Sequence, residues 1–258
     1  MTGLRPPVQG TLAIDGGLEY RIFGEGDTAL VFLHHGLGSA TTWRGLPGDL
    51  AASTGTRAVS YSRRGHGESG PLRRRLGTDF MHEHARETLP RILEEVGADE
   101  VILIGHSDGA SIALILAGDG YPISGLVLIA PHVFVEPETI AGIETAVEEF
   151  EGGDLGQRLG RYHDDPEATF RAWSGIWLDP AFRSWTIVDS LPGVTAPVLV
   201  IQALDDEYGT MAQVEAIEKG VAGQVDRLVL PNGGHSPHLG YGETVTDAIA
   251  GFVARADS

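Results

Sequence analysis

Short, continuous apolar runs recur along the chain, separated by amphipathic stretches. Residues 29–33, 57–61, 101–104, 126–129, 198–201 and 227–230 lack the polar alternation of a half-exposed strand. They have the pattern of strands buried on both faces of a parallel sheet. Ahead of them, residues 11–14 and 18–22 flank Asp15-Gly16-Gly17 and predict a hairpin, because glycine permits the positive φ of a tight turn. Helical spacing covers residues 79–96, which Gly97 stops, then 107–117, 211–221 and 243–253. Strand and helix alternate, as in a doubly wound α/β sandwich.

Residues 133–191 break that rhythm. They contain no strand pattern but several short helical ones, and they hold Phe134, Phe150, Tyr162, Phe170, Phe182 and three of the chain's four tryptophans, Trp173, Trp177 and Trp185. Connections much longer than ~15 residues usually carry function. The segment is therefore expected to be a helical cap inserted into a core made of residues 1–132 and 192–258. Two ordinary crossover helices with a long loop are the plainer alternative.

Composition narrows the classes. A chain of 258 residues suits one large α/β domain. It has no cysteine, which removes a thiol nucleophile and any disulfide. The net charge of -18 repels phosphate backbones and anionic lipid, so neither nucleic acid nor membrane is an expected partner. No apolar run approaches the ~20 residues of a membrane span. The opening Met1-Thr2-Gly3-Leu4-Arg5-Pro6-Pro7 has no apolar region of a secretory leader. A cytoplasmic protein is the expectation, and a homodimer is compatible with it.

The candidate chemistry sits where strands end. Gly105-His106-Ser107-Asp108-Gly109 joins a predicted strand directly to a small-residue helix, which exposes Ser107 on a sharp turn beside a helix N-terminus. The plainer reading is a helix-capping serine. A serine nucleophile needs a base and an orienter. Gly233-Gly234-His235-Ser236-Pro237-His238 follows the last predicted strand, and His235 is preferred over His238 because glycines precede it. Asp205 and Asp206 follow residues 198–201, with Glu207 a weaker third carboxylate; the residues themselves do not separate the two aspartates. His34-His35-Gly36-Leu37-Gly38-Ser39 is a glycine-rich turn able to aim the Leu37 N–H at a reacting carbonyl, alongside the Asp108 N–H. Trp173, Trp177, Trp43, His34, His132 and His238 are pocket candidates.

Together His35-Gly36-Leu37-Gly38, residues 62–69 (Ser-Arg-Arg-Gly-His-Gly-Glu-Ser), the serine pentapeptide, Asp205-Asp206 and Gly234-His235 resemble the α/β-hydrolase superfamily, in its small, capped, esterase-like branch. They occur in family order over nearly the whole chain. The resemblance implies a mostly parallel eight-stranded sheet flanked by helices, a Ser107–His235–acid triad, and hydrolysis of a small, partly apolar carboxylic ester, with no cofactor and no metal. It places the acid three residues after a glycine position held here by Ala203, hence Asp206. It makes residues 64–67 a structural turn without chemistry. The Ser-Asp-Gly elbow is similar to that of valacyclovirase-like hydrolases, which implies that Asp108 could select cationic acyl groups; an acidic residue in a helix's first turn also suits the dipole.

Other classes stay in view. The same triad serves thioester, lactone and C–C bond hydrolysis and a perhydrolase activity, and a non-catalytic small-molecule sensor can retain it. A metal site is disfavoured, because His82 and His84 point to different faces of a helix and His235 and His238 have no evident third ligand.

Overall fold

The structure, a computed structural model, describes residues 6–256; residues 1–5 of the opening segment read above lie outside them. One sheet holds eight strands: β1 (Val8–Leu12), β2 (Leu18–Phe23), β3 (Thr28–Leu33), β4 (Arg57–Tyr61), β5 (Glu100–His106), β6 (Gly125–Ile129), β7 (Val198–Ala203) and β8 (Val225–Leu230). Their spatial order is β1-β2-β4-β3-β5-β6-β7-β8. The β1–β2 and β2–β4 pairs are antiparallel, and every other pair is parallel.

Five of the six continuous apolar runs have the predicted cause. The sixth lies in β8, which is mostly half-buried with Arg227 exposed, because this edge strand has a neighbour on one side only. Strands β3, β6 and β7 are buried at every position, because helices cover both faces. Successive side chains alternate between two cores. Val31 and Leu33 join Met81, Ile92 and Ile112 on one face, while Leu30 and Phe32 join Leu50, Ile249 and Phe252 on the other. The hairpin strand stops at Leu12, short of the expected residue 14, because Ile14 turns inward and is buried.

Helix α1 (Leu46–Thr54) was not apparent from the sequence. It starts Leu-Pro-Gly, is only weakly amphipathic, and ends on Gly55 in the left-handed region. The predicted helix over 79–96 is three consecutive segments, α2 (Phe80–Glu83), a π-helical turn (His84–Thr88) and α3 (Leu89–Val96), closed by Gly97 at φ 58°. Helix α4 (Asp108–Gly118) follows β5. Between β6 and β7 come α5 (Pro137–Gly152), α6 (Leu155–Leu159), α7 (Pro166–Trp177) and 3₁₀ turns at Pro180–Phe182 and Val188–Gly193. One antiparallel bridge, Phe134 to Thr186, and a bond from Ile187 N–H to Val133 O (2.8 Å) fasten the exit of this excursion to its return. Helices α8 (Met211–Gly220), α9 (Pro237–Gly240) and α10 (Gly242–Ala256) complete the chain. Among the described residues no helix is long and apolar enough to cross a membrane.

The chain passes from β3 to β4 on one side of the sheet and then to β5 on the other. The loops after β3 and β5 thus diverge at the C-terminal edge, where open α/β sheets place their ligand crevice.

Candidate active site

Ser107 stands between β5 and α4 at φ 54°, ψ -118°. A non-glycine residue held there costs of order 1–3 kcal/mol and persists only when its surroundings enforce it. The Ser107 N–H donates to Ile129 O (2.9 Å), and its carbonyl accepts from Ala110 N (2.8 Å) and Ser111 N (3.1 Å). The flanking glycines answer to close packing: a Cβ on Gly105 would meet Ala110 Cα at 2.5 Å, and one on Gly109 would meet Leu33 O at 2.0 Å.

The loop after β3 is held by its carbonyls. The Arg63 guanidinium donates to His34 O and to His35 O (3.0 Å for the latter), His66 Nε2–H to Gly36 O (2.9 Å), and His163 Nε2–H to Leu37 O (3.0 Å). The Gly36 carbonyl belongs to the same planar peptide unit as the Leu37 N–H, so His66 fixes the direction of that N–H. Its present acceptor is a long one, His35 Nδ1 at 3.4 Å.

Three consecutive acids after β7 divide the work at His235. Asp206 accepts from His235 Nδ1 with both oxygens (2.9 and 3.0 Å), Asp205 accepts from Gly234 N (2.8 Å), and Glu207 accepts from His235 N (3.0 Å). Asp206 also accepts from Gln202 Nε2 and Tyr208 N, both at 2.9 Å. Burial acts to raise the Asp206 pKa, but the pull of the neighbouring His235 ring and the hydrogen bonds from His235 and Tyr208 outweigh it, and the carboxyl lies below its ordinary value. From β5, His106 Nε2–H donates to His235 O (2.6 Å). Ser107 and His235 line one cavity of about 380 Å³, with no direct hydrogen bond between them among the described residues; such bonds often tighten only when substrate is bound.

The sequence profile of the Alpha/beta hydrolase family matches residues 30–248. The chain belongs to that family. It is 27% identical to serine hydrolase BPHL of Homo sapiens, covering 92% of this chain and 82% of that one. It is 25% identical to N-formylmaleamate deformylase of Pseudomonas putida over 71% and 73% of the two chains. In fold it is similar to the esterase EaEST of Exiguobacterium antarcticum, with a TM-score of 0.74, 19% identity, and coverage of 97% and 100%.

Of the candidate site residues, Leu37, Asp108, His132, Trp173, Trp177 and His238 line the cavity of this hydrolase together with Ser107 and His235. Two pocket expectations are corrected. His34 is buried away from the cavity, its Nδ1–H given to His35 O (2.7 Å) and its Nε2 accepting from Arg63 N (2.9 Å). Trp43 lies behind His238, packed against that ring at 5.4 Å and edge-on to Phe32 at 5.1 Å. His35 and Tyr208 line the cavity instead, the Tyr208 ring 4.7 Å from that of His235. The segment between β6 and β7 contributes Thr139 and Ile143 from α5, and Leu155 and Leu159 from α6. Each pair is spaced i, i+4, a helix-face signal that was present in the sequence.

Burial raises the pKa of the Asp108 carboxyl, against the pull of Arg63, whose guanidinium is 3.8 Å away. His132 Nδ1 and His238 Nδ1 are buried without a protein hydrogen-bond partner, while the Trp177 indole N–H is turned towards the Asp108 carboxylate and helps to hold down its pKa; all four residues line the cavity. Burial holds His132 at about 3 and His238 at about 4, so both imidazoles are neutral. Among the described residues no group of three or more His, Cys, Asp or Glu side chains is arranged to hold a metal ion.

Proposed function

We propose that this chain hydrolyses a carboxylic ester of a small to medium, partly apolar substrate through an acyl-enzyme on Ser107. The observation that carries the reading is the two-oxygen contact of Asp206 with His235 Nδ1, in the cavity that the strained Ser107 also lines. With Nδ1 donating to Asp206, the neutral imidazole presents Nε2 as a base. His235 takes the Ser107 proton as Oγ attacks the carbonyl carbon. The tetrahedral oxyanion is received by the Leu37 and Asp108 N–H groups. His235 then gives its proton to the leaving alcohol, and water enters by the same route to release the acid.

In this reading the helices of residues 133–191 act as a cap on the core formed by 1–132 and 192–258, since α5, α6 and α7 all supply cavity walls. Unpaired polar groups set in an apolar lining suit a substrate with one or two polar atoms near its ester. Arg63 already supplies a counter-charge to Asp108, which favours plain acyl groups over cationic ones. Asp108→Asn is then expected to leave the preference between amino-acyl and plain acyl esters unchanged.

Intact mass after fluorophosphonate treatment tests the nucleophile. One adduct on the wild type and none on Ser107→Ala is the expected result. A folded wild type that takes up no label would remove the acyl-enzyme and leave a non-catalytic binding protein as the reading.

A further inference from the structure

A second chamber of about 250 Å³ adjoins the catalytic cavity. Gly36, Asp108 and Trp173 line both. The Trp173 indole packs so closely on Gly36 that a Cβ there would collide with Cδ1 and Nε1, so these residues form the partition. The other walls come from residues 63–76 after β4, the α2 and π-helical segments, and Asp15.

The chamber's charge is unlike that of the rest of the molecule. In a chain of net charge -18, five of the 18 Lys and Arg side chains line it: Arg63, Arg64, Arg73, Arg74 and Arg75. Three are engaged. Arg63 holds the loop after β3 and faces Asp108, Arg74 pairs with Glu83, and Arg75 faces Asp179 at 3.8 Å. The acids in the wall are likewise engaged. Asp15 accepts from Thr88 (2.6 Å) and pairs with Arg91 (3.3 Å), and Glu87 lies in the field of Arg74. The two imidazoles in the wall, His66 and His84, are lowered by burial and carry no charge.

Arg64 and Arg73 remain. Neither guanidinium has a hydrogen bond or ion pair among the described residues, and Arg64 Nε and Nη1 are buried without an acceptor. Their guanidinium groups converge over Gly16: a Cβ on that residue would stand 2.7 Å from Arg64 Nη1 and 3.3 Å from Arg73 Nη2. Two cations drawn to one point with no counter-charge oppose each other, and guanidinium forks match the oxygens of a carboxylate or phosphate. The π-helical turn adds a second pointer. Such turns are rare and recur at functional sites, and three of its five residues, His84, Glu87 and Thr88, line this chamber.

We propose that this chamber is an anion-binding subsite that holds the carboxylate or phosphate group of a small molecule between Arg64 and Arg73. The group is either an acidic end of the substrate or a free anion. The binding itself does not depend on the Ser107 chemistry.

Calorimetric titration with inorganic phosphate and with succinate at low ionic strength tests it, on the wild type, Arg64→Gln, Arg73→Gln and Arg171→Gln. Arg171 is a remote arginine on α7, paired with Glu151. Saturable binding of at least one anion, weakened about tenfold or more by each chamber variant and unchanged in Arg171→Gln, is expected. Absence of binding, or binding indifferent to both chamber variants, overturns the proposal; Arg73 is exposed, so its variant is expected to fold. Hydrolysis of monomethyl adipate against methyl hexanoate then identifies the source. A KM raised for the adipate alone in Arg64→Gln places the anion on the substrate, whereas equal responses alongside phosphate binding place a free anion there. If neither ester is turned over, the esterase reading fails, while the titrations still decide the subsite.

Discussion

The wall of the Ser107 cavity built from the ends of β3 and β5 is held rigidly by side-chain donors, whereas the wall built from the loops after β7 and β8 carries a partly exposed imidazole on a glycine turn. In the first, the carbonyls of residues 34–37 are all taken by side-chain donors, and Ser107 is locked at a strained φ. In the second, the His235 side chain is 13% exposed and follows Gly233 and Gly234 at φ 130° and 58°. It is fastened through three neighbouring carboxylates. The contrast follows from what each wall does in the proposed reaction. Groups that stabilise charge by their direction gain from being unable to turn. A base that exchanges protons among serine, leaving group and water has to keep its orientation while its partner changes.

The sharpest way to break this comparison is to exchange the three carboxylates. Asp206→Asn is expected to lower kcat by a factor on the order of 10⁴, because an amide no longer enforces the Nδ1–H tautomer. Asp205→Asn and Glu207→Gln loosen backbone contacts only, and a loss below about tenfold is expected for each. Steady-state rates on one activated ester measure all three. Similar losses in the three variants would mean that the loop's position, and not the imidazole tautomer, is what the acids secure.

Acid tests the buried histidines around the site. Burial holds His66 and His132 at about 3 and His238 at about 4, against an ordinary value near 6.5. Below that ordinary value the unfolded chain binds protons that the fold refuses, so stability falls from about pH 6.5 down through the folded values. Three such groups add up to roughly 4 kcal/mol per pH unit in the middle of that window. Asp206, with its pKa lowered, contributes stability above the ordinary carboxylate value and loses it only at lower pH. The histidines therefore set the slope between pH 6 and 4. Urea midpoints across that range are expected to fall steeply, and a flat profile would mean that these rings take up protons in the folded state.

His66→Phe addresses one peptide unit. It removes the donor to Gly36 O while keeping a ring, and about a 10- to 100-fold loss of kcat with little change in KM is expected, less than for deleting an oxyanion donor outright. His66→Asn, whose amide can still donate, should recover part of it. A loss confined to thermal stability in both variants would make His66 a packing residue only.

How much of this could be read beforehand differs between the walls. The strands and the placement of Ser107 and His235 follow from apolar runs and from short patterns at strand ends, which local chemistry dictates, whereas Asp206 is separated from Asp205 only by the family resemblance. Orientation within a loop does not follow. His34 and His35 are adjacent and identical in type, yet one is spent under Arg63 and the other faces the cavity, because the turn after β3 sends successive side chains opposite ways. Residues 62–69 read as a structural turn, but their Arg63 and His66 hold the loop carbonyls, contacts made across about 30 positions of sequence. The π-helical turn leaves no mark on the apolar spacing of residues 79–96, since its one extra residue is absorbed within a single turn.

Trp43 gives the smallest expected effect and the cleanest control for the boundary of the cavity. Its ring is buried behind His238 and edge-on to Phe32, and its Nε1 has no hydrogen-bond partner to lose. Trp43→Phe therefore removes packing without removing a polar contact, and a loss of about 1 kcal/mol in unfolding free energy is expected from the space left behind. KM and kcat should stay within about twofold, because no Trp43 atom forms the cavity wall. Trp177→Phe is the counterpart: that ring does line the cavity and stands 5.3 Å from His132, so KM should move with it. Comparing the two variants by melting temperature and steady-state kinetics separates support from contact, and a KM shift in Trp43→Phe as large as that in Trp177→Phe would show that the wall transmits packing changes behind His238 into the substrate site.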